Sequence, residues 1–202
     1  MRYQVSAAAI LRANPQITDP SLIRTGEVIT IPSQIENLGE KAVNGYAFPS
    51  INESTLEKTL PNLTYCTVFS YQVKADGSLT QIDDERVVNA ARQKNTAPMM
   101  SVTNIRPSGG FSSEIAHSVL TDETAWNNLL DSAINIMKTK KYYGLNIAFE
   151  YILQSDREAY NSFLKTASGR LHDAGFILST SIAPKTAASQ RGLLYEAHDY
   201  PV

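Results

Sequence analysis

One carboxylate, Glu150, stands where a proton could be delivered at a defined place. It closes the run Tyr143-Gly144-Leu145-Asn146-Ile147-Ala148-Phe149-Glu150-Tyr151. Side chains alternate along a strand, so Asn146, Ala148 and Glu150 share one face while Leu145, Ile147 and Phe149 share the other. If the apolar set packs on helices, the other set lines an interior, with Glu150 at the C-terminal end of the row. Parallel barrels place their active sites at that end, and general acid catalysis is the chemistry a carboxyl there can supply. On periodicity alone the more economical reading remains an exposed strand-end carboxylate or half of an ion pair.

Other reactive residue types offer less. Cys66 is the one cysteine, which excludes an internal disulfide, and its apolar setting in Tyr65-Cys66-Thr67-Val68-Phe69 suits a buried thiol. His117, His172 and His198 are scattered without metal-ligand spacing, so no metal or other cofactor is expected. Ser108-Gly109-Gly110 is the only glycine cluster and fits a loop better than a phosphate cradle. Tyr46, Phe69 and Tyr71, at the ends of early β-type runs, are candidates for stacking on a sugar, although aromatics there more often serve as core or rim. Trp126 shares a helical pattern with Leu129, Leu130 and Ala133, which points to packing. A net charge of −2 argues against a nucleic-acid partner, and a neutral ligand such as a glycan fits at least as well. No apolar run approaches the roughly 18–20 residues of a membrane span, and no signal pattern opens the chain.

The elements that must position these residues divide the chain in two. Residues 1–33 hold a helix-like run at 7–13 stopped by Asn14-Pro15, a turn at Asp19-Pro20, a bend at Gly26 and a β-type run at 28–31. Residues 34–43 form a polar connector. From residue 44 on, β-type runs at 45–48, 65–71, 98–103, 144–151 and 176–182 alternate with helical patterns at 53–60, 84–94, 112–120 with 123–138, and 156–173. Ser155 and Glu158 give the last helix a capping-box start, and Gly175 gives it a stop. Alternation of this kind predicts an α/β fold with a parallel sheet, a partial TIM-type barrel of about five βα units.

The segment around Glu150 resembles the signature strand of glycoside hydrolase family 18, the chitinase-like enzymes, whose pattern is D-G-x-x-x-D-x-E. The runs Asp156-Arg157-Glu158-Ala159-Tyr160-Asn161, Ser179-Thr180-Ser181-Ile182-Ala183-Pro184-Lys185-Thr186 and Tyr195-Glu196-Ala197-His198-Asp199-Tyr200 are similar to the LysM-bearing spore-germination subgroup, peptidoglycan N-acetylglucosaminidases of the bacillus spore cortex. Residues 14–32 resemble the second half of a LysM glycan-binding module, so residues 1–33 are expected to be a partial module and residues 44–202 the N-terminal part of the barrel.

The resemblance implies a role for each matching position. Glu150 stands at the acid that protonates the leaving glycosidic oxygen, and the substrate's N-acetyl group acts as nucleophile. A carboxylate two residues earlier orients that group in the family; here the position is Ala148. Asn146, Ala148, Tyr151, Tyr46 and Tyr71 are the expected substrate contacts. The implied partner is an N-acetylglucosamine-containing polysaccharide, peptidoglycan or chitin-like, at the spore cortex, coat or cell wall. Two expectations follow from Ala148 and from the missing later strands. The chain is a slow hydrolase or a binding relict, and it self-associates through open sheet edges and an apolar interior row that includes Met99 and Ile177.

Overall fold

Alternating apolar residues in the β-type runs have a helix layer to cover them, and this is what closes the main unit. The computed structural model describes residues 5–32 and 40–181. Five strands, β1 (Asn44–Ala47), β2 (Tyr65–Gln72), β3 (Ala97–Thr103), β4 (Gly144–Ala148) and β5 (Ile177–Thr180), form one sheet in the order β1-β2-β3-β4-β5. Every neighbouring pair is parallel. Five helices, α2 (Glu53–Thr59), α3 (Glu85–Gln93), α4 (Ser113–Thr121), α5 (Glu123–Lys140) and α6 (Arg157–Asp173), fill the crossovers. Sequential order with helical crossovers is the winding of a (β/α) barrel.

The core lies between sheet and helices. Leu145, Ile147 and Phe149 of the β4 segment join Val68, Met100, Val102 and Leu178 from the other strands in one buried cluster. Behind β4, Phe149 stacks on Phe163 of α6 with ring centroids 6.2 Å apart, and Trp126 of α5 meets Phe163 edge-on at 5.8 Å. The Trp126 indole donates to the Leu120 carbonyl, so this residue is packing, as its helical pattern implied. Cys66 is buried too, and burial pushes its thiol up to about 11.

The opposite face of the sheet differs from expectation. Its row is largely hydroxyl and amide: Thr67, Ser101, Thr103, Asn146 and Ser179. Met99 is 2% exposed rather than open to solvent, and Ile177 is half-buried. The interior is therefore polar, because the inward positions of β3, β4 and β5 carry short polar side chains that bond one another across strands.

Two local readings also change. The residue pairing of β2 with β3 shifts between Val68 and Tyr71, a β-bulge that adds a residue to β2. A bulge reverses the side-chain phase beyond it. Tyr71 is consequently fully buried on the helix side. The start of α6 uses no capping box. Its N-cap is Asp156, at the end of a 3-10 turn, without a side-chain cap bond. Asp156 instead accepts from His117 Nδ1 of α4 at 2.9 Å and from Ser155 Oγ at 3.2 Å. The stop at Gly175 is as expected: φ is +84°, and the Phe176 N–H returns to the Leu171 carbonyl at 2.8 Å.

The loop after β2 imposes a tight contact. Gly77 has φ +80°, and a Cβ on it would lie 2.0 Å from the Ala125 carbonyl oxygen at the start of α5. Gly77→Ala should therefore cost about 1–3 kcal/mol, read as a lower urea midpoint at unchanged m-value.

Residues 1–41 form a separate compact unit. Helix α1 (Ala7–Ala13) is capped by Ser6, whose Oγ accepts from the Ala9 N–H. The expected strand at 28–31 has no ladder partner among the described residues and is not a strand. The buried Asn14 side chain holds it instead, donating to the Thr30 carbonyl and accepting from the Thr30 N–H, both at 2.7 Å. Val28 is 83% exposed.

Candidate active site

Strand β4 ends at Ala148, so Glu150 belongs to the turn that leaves the sheet rather than to the strand itself. Its neighbour Tyr151 has φ +56°, a left-handed conformation that a non-glycine residue adopts only when its surroundings hold it there. The holding groups are visible. Ser113 Oγ, in the first turn of α4, donates to the Tyr151 carbonyl at 2.6 Å. The Asn104 side chain, just past β3, pairs with both backbone groups of Glu150.

Glu150 faces a cavity of about 540 Å³, lined also by Tyr46, Phe48, Phe69, Ala148 and Ser181. The cavity lies at the C-terminal ends of β1, β2, β4 and β5, the end where the sequence placed a site. Phe69 is the corner of its aromatic wall, edge-on to Tyr46 at 6.0 Å and to Phe48 at 5.6 Å. Phe48 is 63% exposed and Tyr46 50%, so both offer faces to a ligand. Glu150 is the one carboxylate among the described lining residues.

Beneath the cavity, Asn146 is a buried hub. Its Oδ1 accepts from Tyr46 Oη at 3.3 Å, from Ser101 Oγ at 3.3 Å and from Ser181 Oγ at 3.2 Å, while its Nδ2 donates to Ser179 Oγ at 2.9 Å. Tyr46 Oη and Ser181 Oγ also bond each other at 2.8 Å, linking β1 to the end of β5 across the interior. Such a set offers neutral donors and acceptors and no fixed charge, which suits hydroxyl or amide groups of a ligand.

The expected site residues thus separate. Glu150, Ala148 and Tyr46 line the cavity, and Asn146 supports it. Tyr151 is 54% exposed, but its ring packs on Phe111 at 6.3 Å and is not among the lining residues. Tyr71 is a correction: the bulge in β2 turns it into the core, where its hydroxyl donates to Asp84 and accepts from Lys140. Sequence reasoning missed Phe48, Ser181 and Asn104. The first two were reachable, since Phe48 follows Tyr46 by two and Ser181 extends the inward row from Ser179. Asn104 carries no periodic signal, because it lies beyond its strand.

Known proteins place this geometry in context. No family profile matches the chain. It is 38% identical over 173 residues to the cortical fragment-lytic enzyme of Bacillus anthracis, covering 80% of this chain and 39% of that enzyme. The crystal structure of the Bacillus cereus spore cortex-lytic enzyme SleL superposes with a TM-score of 0.76 at 32% identity, covering 98% of this chain and 46% of that one. A class V chitinase from Pseudomonas fluorescens Pf-5, at 22% identity and a TM-score of 0.68 over 74% of this chain, shares the fold. The described sheet and helices therefore share the α/β architecture of the chitinase-type TIM barrel. The chain is similar to spore cortex-lytic enzymes of Bacillus and spans less than half the length of these relatives.

Proposed function

We propose that this chain is the part of a family 18 glycoside hydrolase that recognises N-acetylglucosamine-containing glycan of spore cortex peptidoglycan. Glu150 acts as the acid, giving its proton to the leaving glycosidic oxygen while the substrate's own acetamide attacks the anomeric carbon. The single observation carrying this reading is Glu150 at the mouth of an aromatic-walled cavity at the C-terminal end of a parallel sheet. Relatives named for lysis of spore cortex support this substrate class and a location at the spore cortex or cell wall.

A second reading has its own support. Ala148 lines the same cavity two residues before Glu150, and its methyl group can neither accept the acetamide proton nor offset positive charge. As it stands, the chain holds N-acetylated glycan and cuts it very slowly. Binding and turnover of tri-N-acetylchitotriose, measured together, test both readings. Micromolar to millimolar binding weakened by Glu150→Gln, with turnover far below that of an intact cortex-lytic enzyme, is the expected result. Turnover within about tenfold of that enzyme would overturn the role given to position 148.

Residues 1–33 are proposed as a partial LysM module. Support comes from the Asn14 clamp on Thr30 and the exposed apolar residues Leu22 and Val28. So small a unit buries little core, and weak retention on insoluble peptidoglycan is expected from it alone.

A further inference from the structure

We infer that Asn104 is the positioning residue for Glu150, its side-chain amide serving as the last rung of the sheet. The backbone pairing of β3 with β4 ends at Thr103 and Ala148. One step further, the Asn104 side chain takes over. The Glu150 N–H donates to Asn104 Oδ1 at 2.9 Å, and Asn104 Nδ2 donates to the Glu150 carbonyl at 2.8 Å. The remaining Nδ2 hydrogen goes to the Ser112 carbonyl at 2.9 Å, and the Asn104 backbone carbonyl accepts from the Ser112 N–H at 2.9 Å.

A carboxamide is a peptide group without its chain, so it presents one acceptor and two donors in the plane a neighbouring strand would use. Asn104 is 0% exposed, and these three bonds use both of its N–H donors and one of the two lone pairs on Oδ1. Its effect is to hold the Glu150 peptide against β3 although the chain is already leaving the sheet toward the left-handed Tyr151. Aspartate at position 104 would keep the acceptor but set an oxygen against two carbonyls. Leucine or alanine would leave the part-buried Glu150 N–H and C=O without these partners.

This inference rests on the proposed role of Glu150, and the two fail separately in one experiment on the full chain. Amide hydrogen exchange at Glu150, read by NMR without ligand, tests the clamp. Asn104→Ala should speed exchange there on the order of 10- to 100-fold while Val102 and Ile147 keep their protection. Affinity for tri-N-acetylchitotriose, measured from acidic to neutral pH, tests positioning. The pH dependence that Glu150→Gln removes should also be lost in Asn104→Ala. Should the alanine variant not fold, the isosteric Asn104→Asp carries the test, with a smaller rise in exchange expected at the same amide. Unchanged exchange at Glu150 would overturn the inference whatever the glycan does. Faster exchange with a wild-type pH profile would also overturn it, leaving Asn104 a structural residue only. Absence of glycan binding by the wild-type chain would instead sink the proposed function, and the exchange data would then decide the clamp alone.

Discussion

Ala148→Asp should raise hydrolysis of N-acetylglucosamine glycosides by on the order of 10²–10³ in a full-length barrel. Ala148 is 3% exposed, on the inward face of β4, and it lines the cavity that Glu150 also faces. A carboxylate there would enter a space of about 540 Å³ walled by Tyr46, Phe48 and Phe69. It would accept the acetamide N–H and balance the positive charge that develops as the acetamide attacks. The gain depends on the acid two residues on, so adding Glu150→Gln to Ala148→Asp should return the rate to background. Steady-state kinetics on a fluorogenic chitobiose glycoside would measure both. A flat response to Ala148→Asp removes position 148 from the mechanism, and an active double variant removes Glu150.

The largest effect on stability is expected at Lys140. Asp84, fully buried before α3, accepts from Lys140 Nζ at 2.5 Å and from the hydroxyls of Tyr71 and Tyr142. Burial alone would raise the Asp84 carboxyl, but bonds from Lys140, Tyr142 and Tyr71 outweigh it and hold it below its ordinary value. Lys140→Met leaves that carboxylate buried with tyrosine donors only, at a cost of about 3–5 kcal/mol. Denaturant titration at neutral pH reads this directly, and a loss under about 1 kcal/mol would mean the carboxylate is solvated.

The same cluster sets a pH window. Because the Asp84 carboxyl is lowered on folding, its contribution is present above the unfolded value of 3.8 and is lost as pH falls further. Burial, reinforced by the bond to Asp84, pushes the Tyr71 hydroxyl up to about 12. Its contribution is present below the unfolded value of 10.0 and is lost as pH rises from there. Lys140 is raised as well: bonds to Asp84 and Tyr71 outweigh the desolvation that would lower it. The contribution of this cluster should therefore be flat between these limits and fall at both ends, and the alkaline fall should weaken in Tyr71→Phe.

How far the site was legible in the sequence depends on which interaction fixed each residue. Alternation put Ala148 on the inward face, since burial on the other face dictates the phase of a strand, while Glu150, read as the last inward residue of that strand, lies in the turn beyond it and faces the same cavity. Tyr71, expected as a sugar contact, is a core residue instead, because nothing in Tyr65 to Gln72 marks the extra residue that reverses the phase after Val68. The helices were readable from apolar spacing to within a few residues. The start of α6 was misread because Ser155 and Glu158 match a capping pattern while His117, distant in sequence, takes Asp156. Asn104 shows the same limit: a tertiary bond to a backbone group leaves no mark in local spacing. The 28–31 run failed as a strand for want of a partner among the described residues, since β propensity needs a neighbour to be realised.

The polar inner face has a consequence for how such a chain can vary. Parallel sheets are usually apolar on both faces, so that every inward substitution tests the fold. Here the apolar ledger sits on the helix side, in residues such as Val68, Met100, Leu145 and Phe149. The inward positions Asn146, Ala148 and Ser179 form a second, chemically independent alphabet on the same strands. A change at Ala148, whose methyl group takes no part in the hydrogen-bonded set, can alter the cavity at little cost to the scaffold, whereas a change at Asn146 would break its bonds to Tyr46, Ser101, Ser179 and Ser181. On the proposed mechanism, the alanine at position 148 removes chemistry from the cavity while its buried methyl group keeps the strand packed.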